Sequence, residues 1–455
     1  MIRRFYLYSV FKNLRFSDPF LVLYFLDQGL SFLQMGWLFA LQHLVTVLLE
    51  FPSGMLADRW GRRRCLAVCF LCYAVSLIGF GVTDHGVELS PILWYGGCLS
   101  FFAIGEAFRT GTHKAIMLDY LDSSRQTERS TQIVGMTRSI SKFSSATAAI
   151  CAGLLLFWLR NYDYLFFLSA VSSVCGFFLM LSYPRELEGE RQREGHLPST
   201  TSILPVYVKL YRSGKRRRFW SLVVQSVLFE SQVKIVLKYY LQPFLRTGLG
   251  LYEITIAAPK SVAGIAGSGA VWVGLNEFVR DSLGGVGARL SSRYEKSVRN
   301  RTFALNRIYL GGIAVILGVA VCSLDLAIGL IPGLMLVVGL TVLQNLRRPL
   351  FVTAFNDTME KSRRATALSL ESVARSLTVA GLLPLFGWVT DSYGLMSVWI
   401  LSASLMVVGV FLKPKQDEDS WAGFKDRNDQ KEMQVSGRET RGPDSKDKKR
   451  SGRSR

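Results

Sequence analysis

The sequence predicts an all-α membrane protein of twelve transmembrane helices arranged as two pseudo-symmetric halves of six. Three observations predict it. Apolar residues come in long runs, basic residues fall in alternate loops, and the second half of the chain repeats features of the first. The chain has 455 residues, 49% of them apolar and only 19% charged. A helix needs about 20 apolar residues to cross a hydrocarbon core of roughly 30 Å. Runs of that length are expected near 5–26, 32–56, 65–83, 91–118, 134–158, 164–183, 219–241, 259–286, 303–322, 326–346, 366–388 and 393–412.

The loops orient these spans. One set is basic: Arg59, Arg62, Arg63 and Arg64; Arg125 and Arg129; the stretch 184–218; Arg289, Arg293, Lys296 and Arg299; Lys361, Arg363 and Arg364. The opposite loops, such as 84–91 and 389–397, carry no Lys or Arg. Basic loops stay on the cytoplasmic side. Both termini are therefore expected in the cytoplasm of a multi-pass plasma (inner) membrane protein. Residues 1–26 lack a cleavage site and read as a span rather than a signal peptide. The domain reading is a first bundle over 1–183, a cytoplasmic linker over 184–218, a second bundle over 219–413 and a disordered basic tail over 414–455. The formal charge of +20 follows this loop pattern and gives no reason to expect a nucleic acid partner.

The repeat is specific in order and spacing. Glu106 to Arg109 end the fourth span, and Asp119 follows ten residues after that arginine. Gln344 to Arg347 end the tenth, and Asp357 follows ten residues after its arginine. Arg129-Ser-Thr131 and Arg364-Ala-Thr366 come next in each half. Parallel internal repeats of this kind build many secondary transporters.

The loop after the second span reads Gly54-Met-Leu-Ala-Asp58-Arg59-Trp-Gly61-Arg62-Arg63-Arg64. At these residues the sequence resembles the major facilitator superfamily, whose loop has the pattern Gly-x-Leu-Ala-Asp-Arg-x-Gly-Arg-Lys/Arg. The resemblance covers residues 5–412. It implies that Gly54, Asp58, Arg59, Gly61, Arg62 and Arg63 form a gating loop that bridges the halves in the outward-facing state. Gly54 and Gly61 would allow close backbone approach. Asp58 would cap a neighbouring helix or pair with an arginine. The second-half copy, 288–293, has Ser292 where the first has Asp58, so one dominant clamp is expected.

Charges inside spans are costly and are functional candidates. The first span carries Arg15 and Asp18, the fourth Glu106 and Arg109, the seventh Glu230 and Lys234, and the eighth Glu277, Arg280 and Asp281, while the tenth ends with Arg347. The family fold implies that the first, fourth, seventh and tenth spans line a central cavity. Two readings stand: mutually neutralised structural pairs, or a site in which a carboxylate exchanges a proton and a cation orients the solute. Asp18, Glu106 and Glu230 are the carrier candidates. His43 and His113 read as packing residues.

No phosphate-binding Gly-x-x-x-x-Gly-Lys-Ser/Thr loop and no His/Cys metal cluster occurs, so neither ATP hydrolysis nor a cofactor is expected. The expectation is a monomeric, non-enzymatic secondary transporter of a small solute, coupled to protons through a titrating carboxylate, with export slightly favoured. Uptake of an organic anion or sugar-like solute by symport is the alternative. A non-transporting membrane scaffold on the same fold is a third reading. The fifth span, 134–156, lacks the Gly-Pro motif of drug–proton antiporters, which weakens the export reading.

Overall fold

A computed structural model describes residues 1–83, 90–110, 112–124, 130–184, 216–249, 268–297, 301–358 and 364–412, nearly all of them helical. Among these residues, nine helices are long and apolar enough to cross a membrane, and Met396–Phe411 is a shorter apolar one. The linker and tail expected at 184–218 and 414–455 lie almost wholly outside the described residues, as does the start of the span expected at 259–286.

The expected first span is broken. Helix α1 (Ile2–Asn13) ends before a 3-10 turn, Asp18–Phe20, and α2 (Leu21–Asp27) follows. Pro19 within that turn has no amide to donate, and it disfavours helical geometry in the residue before it. The freed amides of Phe16 and Ser17 donate to Ser169 Oγ at 2.9 and 3.2 Å.

Helix α3 (Phe32–Trp60) opens with a capping box from Ser31 and Gln34. It ends at Gly61, whose φ of +97° suits glycine, and α4 (Arg62–Gly81) starts at once. The expected fourth span is likewise two pieces, α5 (Pro91–Arg109) and α6 (Thr112–Ser123). Helices α7 (Ser130–Leu159) and α8 (Asp163–Leu181) complete the first group.

In the second group, α9 (Arg216–Ile235) runs into a π-helical turn, Val236–Tyr240, before α10 (Leu241–Gly248). Pro243 lies just beyond the turn and cannot donate an amide to the residue one turn back, where the ladder widens. Then come α11 (Ser268–Ser297), α12 (Arg301–Cys322), α13 (Leu326–Asn356), α14 (Arg364–Tyr393) and α15 (Met396–Phe411).

Packing follows the sequence groups. Helix α4 packs on α5 and α8, α3 on α5, and α1 on α7 and α8. In the second group α11 and α12 pack on α13, α9 on α14, and α15 on α9 and α12. Two seams join the groups, α3 with α14 and α7 with α11. Each seam has a glycine on each helix. A Cβ on Gly36 would lie 2.6 Å from the Leu383 carbonyl oxygen, and one on Gly387 would strike that of Phe32. A Cβ on Gly153 would lie 2.6 Å from the Ala270 oxygen, and one on Gly274 would strike that of Ala149. Small residues let membrane helices approach this closely. The outer surface is apolar: Trp158, Ile328 and Phe411 are all more than three-quarters exposed, as lipid-facing side chains are.

Candidate functional site

The signature loop is held locally. Arg62 Nη1 donates to Asp119 Oδ2 at 2.5 Å, and Arg63 Nη2 donates to the Leu181 carbonyl at 3.1 Å. Arg59 is exposed. The repeat has a counterpart in space: Arg301, at the start of α12, pairs with Asp357 at 2.8 Å, as Arg62, at the start of α4, pairs with Asp119. Gly54 meets nothing within 4 Å of its Cβ position, so Gly61 rather than Gly54 needs to be glycine for the backbone. Asp58 lies on α3, but its side chain falls outside the described residues.

The first group of helices holds a compact charge cluster around Glu106. Its carboxylate accepts from Arg15 at 3.0 Å, from Arg109 at 2.5 and 3.0 Å, and from Tyr73 Oη at 2.8 Å. Arg15 also lies 3.8 Å from Asp18, and its guanidinium stacks over Tyr73 and Phe102 at 4.5 and 4.7 Å. The two pairs read from sequence are thus one network joining α5 to the segment just after α1. His113 stacks on Tyr8 at 3.4 Å, and His43 bonds Tyr239 at 2.9 Å.

The second group holds a larger cluster. Arg347 is fully buried, 3.5 Å from Glu230, with its guanidinium 4.6 Å over Phe229. Gln344 donates to the other Glu230 oxygen at 2.9 Å. Arg348 forks onto Glu371 with two bonds of 3.1 Å, and Arg375 approaches the same carboxylate at 3.5 Å. Ser226 donates to Glu371 at 3.0 Å. Glu277 pairs with Arg280, which also donates to the Leu237 carbonyl at 2.8 Å.

A cavity of about 480 Å³ opens beside this cluster. Lys142 of α7, Glu230 and Lys234 of α9, Leu237 and Lys238 of the π turn, Arg280 and Asp281 of α11, and Thr341, Gln344, Asn345 and Arg348 of α13 line it, with Val233 and Arg375. Of the residues singled out in the sequence, Glu230, Lys234, Arg280 and Asp281 line the cavity. Arg15, Asp18, Glu106, Arg109 and Glu277 belong to the neighbouring networks instead. Lys142, Lys238, Arg348, Glu371 and Arg375 were not singled out. Their signal was available, since each is a charge inside an expected span or at its end, the criterion that picked the others.

One end of the two groups is bridged. Asp391 of α14 accepts the amides of Phe32 and Leu33 at 3.0 and 2.8 Å, neutralising the start of α3. The buried Arg246 pairs with Asp27 at 2.7 Å, and Tyr162 donates to the other Asp27 oxygen at 2.7 Å. Gln242 completes the broken first span: it accepts from the Val22 amide at 3.1 Å and donates to the Asp18 carbonyl at 3.4 Å.

The family model of the major facilitator superfamily matches residues 13–377. The chain belongs to that superfamily. Over 415 residues it is 22% identical to an uncharacterized MFS-type transporter, YxaM, of Bacillus subtilis strain 168, covering 90% of this chain and 94% of the relative. Its fold matches a mutant of the nucleoside transporter NupG with a TM-score of 0.70 at 13% identity, over 90% of this chain and 98% of that one. It also matches the inward-open xylose transporter XylE from E. coli with a TM-score of 0.65 at 12% identity, over 92% and 97%. This superfamily member is a multi-pass membrane transporter, and the small-solute class expected from the sequence stands with that assignment.

Proposed function

We propose that the protein moves a small solute by alternating access, with residues 1–183 and 219–413 as the two moving halves and the 480 Å³ cavity as the solute site. The observation that carries this reading is the closure of one end. Arg246 with Asp27, Gln242 with the broken first span, and Asp391 with the start of α3 all tie the two groups together there. The neighbouring loop, 389–397, carries no Lys or Arg, and positively charged loops lie on the cytoplasmic side. On this reading the bridged end faces away from the cytoplasm and the cavity opens toward it. Both termini then lie in the cytoplasm, and the Asp58 loop engages when the halves close over that side. NupG and XylE carry a nucleoside and xylose by name, two small polar solutes, which supports a cavity of this kind.

Coupling to protons enters through Glu230, the one glutamate on the cavity wall among the described residues. Glu106, by contrast, accepts from two arginines and a tyrosine and is poorly placed to release its partners. The cavity's cations and amides favour the organic-solute reading over drug export.

The test is side-specific labelling. In a chain stripped of its native cysteines, Thr341→Cys is expected to react with a membrane-impermeant maleimide from the cytoplasmic face at rest. Reaction from the opposite face should appear only under an imposed gradient or solute. A cysteine that labels equally from both faces, or from neither under any condition, removes the alternating-access reading.

A further inference from the structure

The charges around the cavity do not balance, and the imbalance is localised. Among the described residues, seven cationic side chains line it or pair with its wall: Lys142, Lys234, Lys238, Arg280, Arg347, Arg348 and Arg375. Four carboxylates answer them: Glu230, Glu277, Asp281 and Glu371. Asp281 takes Lys142 at 2.7 Å, Glu277 takes Arg280, Glu230 takes Arg347, and Glu371 serves both Arg348 and Arg375. Among the described residues, no carboxylate lies within ion-pair distance of Lys234 or Lys238. Lys238 sits beside the Tyr239 side chain, its ammonium 5.2 Å from the ring centroid.

The bland account is that both lysines sit on the solvated wall of a water-filled cleft. That explains their charge but not their location. A positive-inside pattern places lysines in loops, whereas these two lie four residues apart at the middle of the spanning segment 218–248. An ionisable side chain there is expensive unless something compensates it. The arginines on the wall are held by carboxylates, so the lysines are the groups left to engage an anionic partner.

Resting on the transporter reading, we propose that the cavity takes a small, polar organic anion carrying two negative charges, its charged groups held by the ammonium groups of Lys234 and Lys238. Lysine is a compact point charge with three donors, suited to oxygens of either a carboxylate or a phosphate. Thr341, Gln344 and Asn345 add neutral polar groups that already donate to the Val337 carbonyl, Glu230 and the Thr341 carbonyl, and Val233 and Leu237 are the apolar residues on the wall among those described. Such a wall discriminates against greasy solutes, which would desolvate the two ammonium groups without pairing them. The volume lies within the roughly 300–1,000 Å³ usual for small-molecule sites. The pair also offers a coupling device: a dianion offsets the charges of the two lysines, so the loaded halves can close around a lower net charge than the empty ones.

The experiment uses the full chain in proteoliposomes. Counterflow is measured with radiolabelled succinate and glycerol phosphate as the two anionic arms, and with xylose and choline as neutral and cationic comparisons. Saturable counterflow of succinate or glycerol phosphate is expected, and the arm that flows says whether carboxylate or phosphate is the preferred group. Lys234→Gln and Lys238→Gln should each raise the half-saturating concentration about tenfold, the loss of one charge-assisted bond. The Lys234→Arg and Lys238→Arg variants should recover much of it. Thermal unfolding in detergent without solute should be unchanged in the glutamine variants, separating a binding role from a structural one. Counterflow of xylose or choline that the lysine variants leave unchanged, with none of either anion, overturns the anion proposal but keeps the transporter. Absence of counterflow for all four, together with failure of the maleimide test, overturns both. If the four solutes fail while the maleimide test succeeds, the anion proposal alone falls.

Discussion

The cluster around Glu106 and the cluster around Glu230 occupy related places in the two helix groups, yet they are built differently. Glu106 is surrounded: two arginines and a tyrosine hydroxyl converge on one carboxylate, and aromatic rings cover Arg15. It does not line the cavity. Glu230 shares a wall with the cavity, holds Arg347 at 3.5 Å and an amide at 2.9 Å, and has on the same wall two lysines that find no carboxylate partner among the described residues. The same residue types therefore do two jobs. In one group, charge is neutralised in place and ties the end of α1 to α5. In the other, cations exceed carboxylates and face an opening. A charge inside a span is a candidate site only when its partners leave some of it unspent.

The comparison breaks most sharply at Glu106. Glu106→Gln leaves Arg15 and Arg109 with one neutral acceptor between them. Removing one partner of a fully buried ion pair typically costs about 3–5 kcal/mol, and this partly buried network should approach that without reaching it. The expected outcome is a large drop in thermal stability and in the yield of folded protein, measured by fluorescence-detected gel filtration after heating. If Glu106→Gln folds normally and loses only proton-driven transport, Glu106 is a carrier and the contrast with Glu230 is lost.

Glu230→Gln tests the other side. The amide keeps one acceptor oxygen, for Gln344 or for the fully buried Arg347 but not both, so a loss of stability at least as large as at Glu106 is expected and transport is compared per folded protein. Solute counterflow, which needs no net proton movement, should persist. Accumulation driven by an imposed pH gradient should fall to the level of empty liposomes. Equal loss of both activities would place Glu230 in solute binding rather than coupling.

The helix plan was readable because it depends on composition over about 20 residues, and apolar runs report it directly. The positions at 32–56, 65–83, 134–158 and 164–183 are matched by α3, α4, α7 and α8. The breaks were missed although Pro19 and Pro243 mark two of them, because a proline in a membrane span shows only that an amide is absent. It does not say whether a distant side chain such as Gln242 will bond the backbone it exposes. The site was half readable. Arg109 lies three residues from Glu106, so that pair follows from helical spacing. The bond from Arg15 to the same carboxylate joins residues far apart in the chain and leaves no periodic trace. Lys142, Glu371 and Arg375 were visible as charges in apolar surroundings. They lie on the fifth and eleventh spans, outside the set that the family implies to line the cavity; only the packing of α7 and α14 brings Lys142 and Arg375 to it, with Glu371 buried behind them as the partner of Arg348 and Arg375.

Closure at the bridged end gives a further test. Gly387 and Gly153 each sit against the backbone of the facing helix. Gly387→Leu or Gly153→Leu should hold the seam open and shift the population toward the state open at the opposite face. Maleimide labelling of Thr341→Cys should then slow from the cytoplasmic face and rise from the other. Asp27→Asn should act in the same direction more weakly, since Tyr162 can still donate to the amide oxygen while Arg246 no longer faces a carboxylate charge at that position. Unchanged labelling in all three would mean that this end does not open during the cycle.

The smallest effects are expected where the two halves look most alike. Arg62 with Asp119 and Arg301 with Asp357 are equivalent pairs at the arginine-rich end. Asp119 and Asp357 are each more than half exposed, so water and salt screen both pairs. Exposed ion pairs contribute about 0–1 kcal/mol. Asp119→Asn and Asp357→Asn should therefore leave thermal stability within about 1 kcal/mol of the parent. Their effects on cycling need not match, because Arg62 belongs to the Asp58 loop and its second-half counterpart carries Ser292 in place of that aspartate. A transport rate lowered by Asp119→Asn and untouched by Asp357→Asn would assign the gating load to the first-half loop. Equal slowing by both would assign it to the paired arginines, and Asp58 would lose its special place.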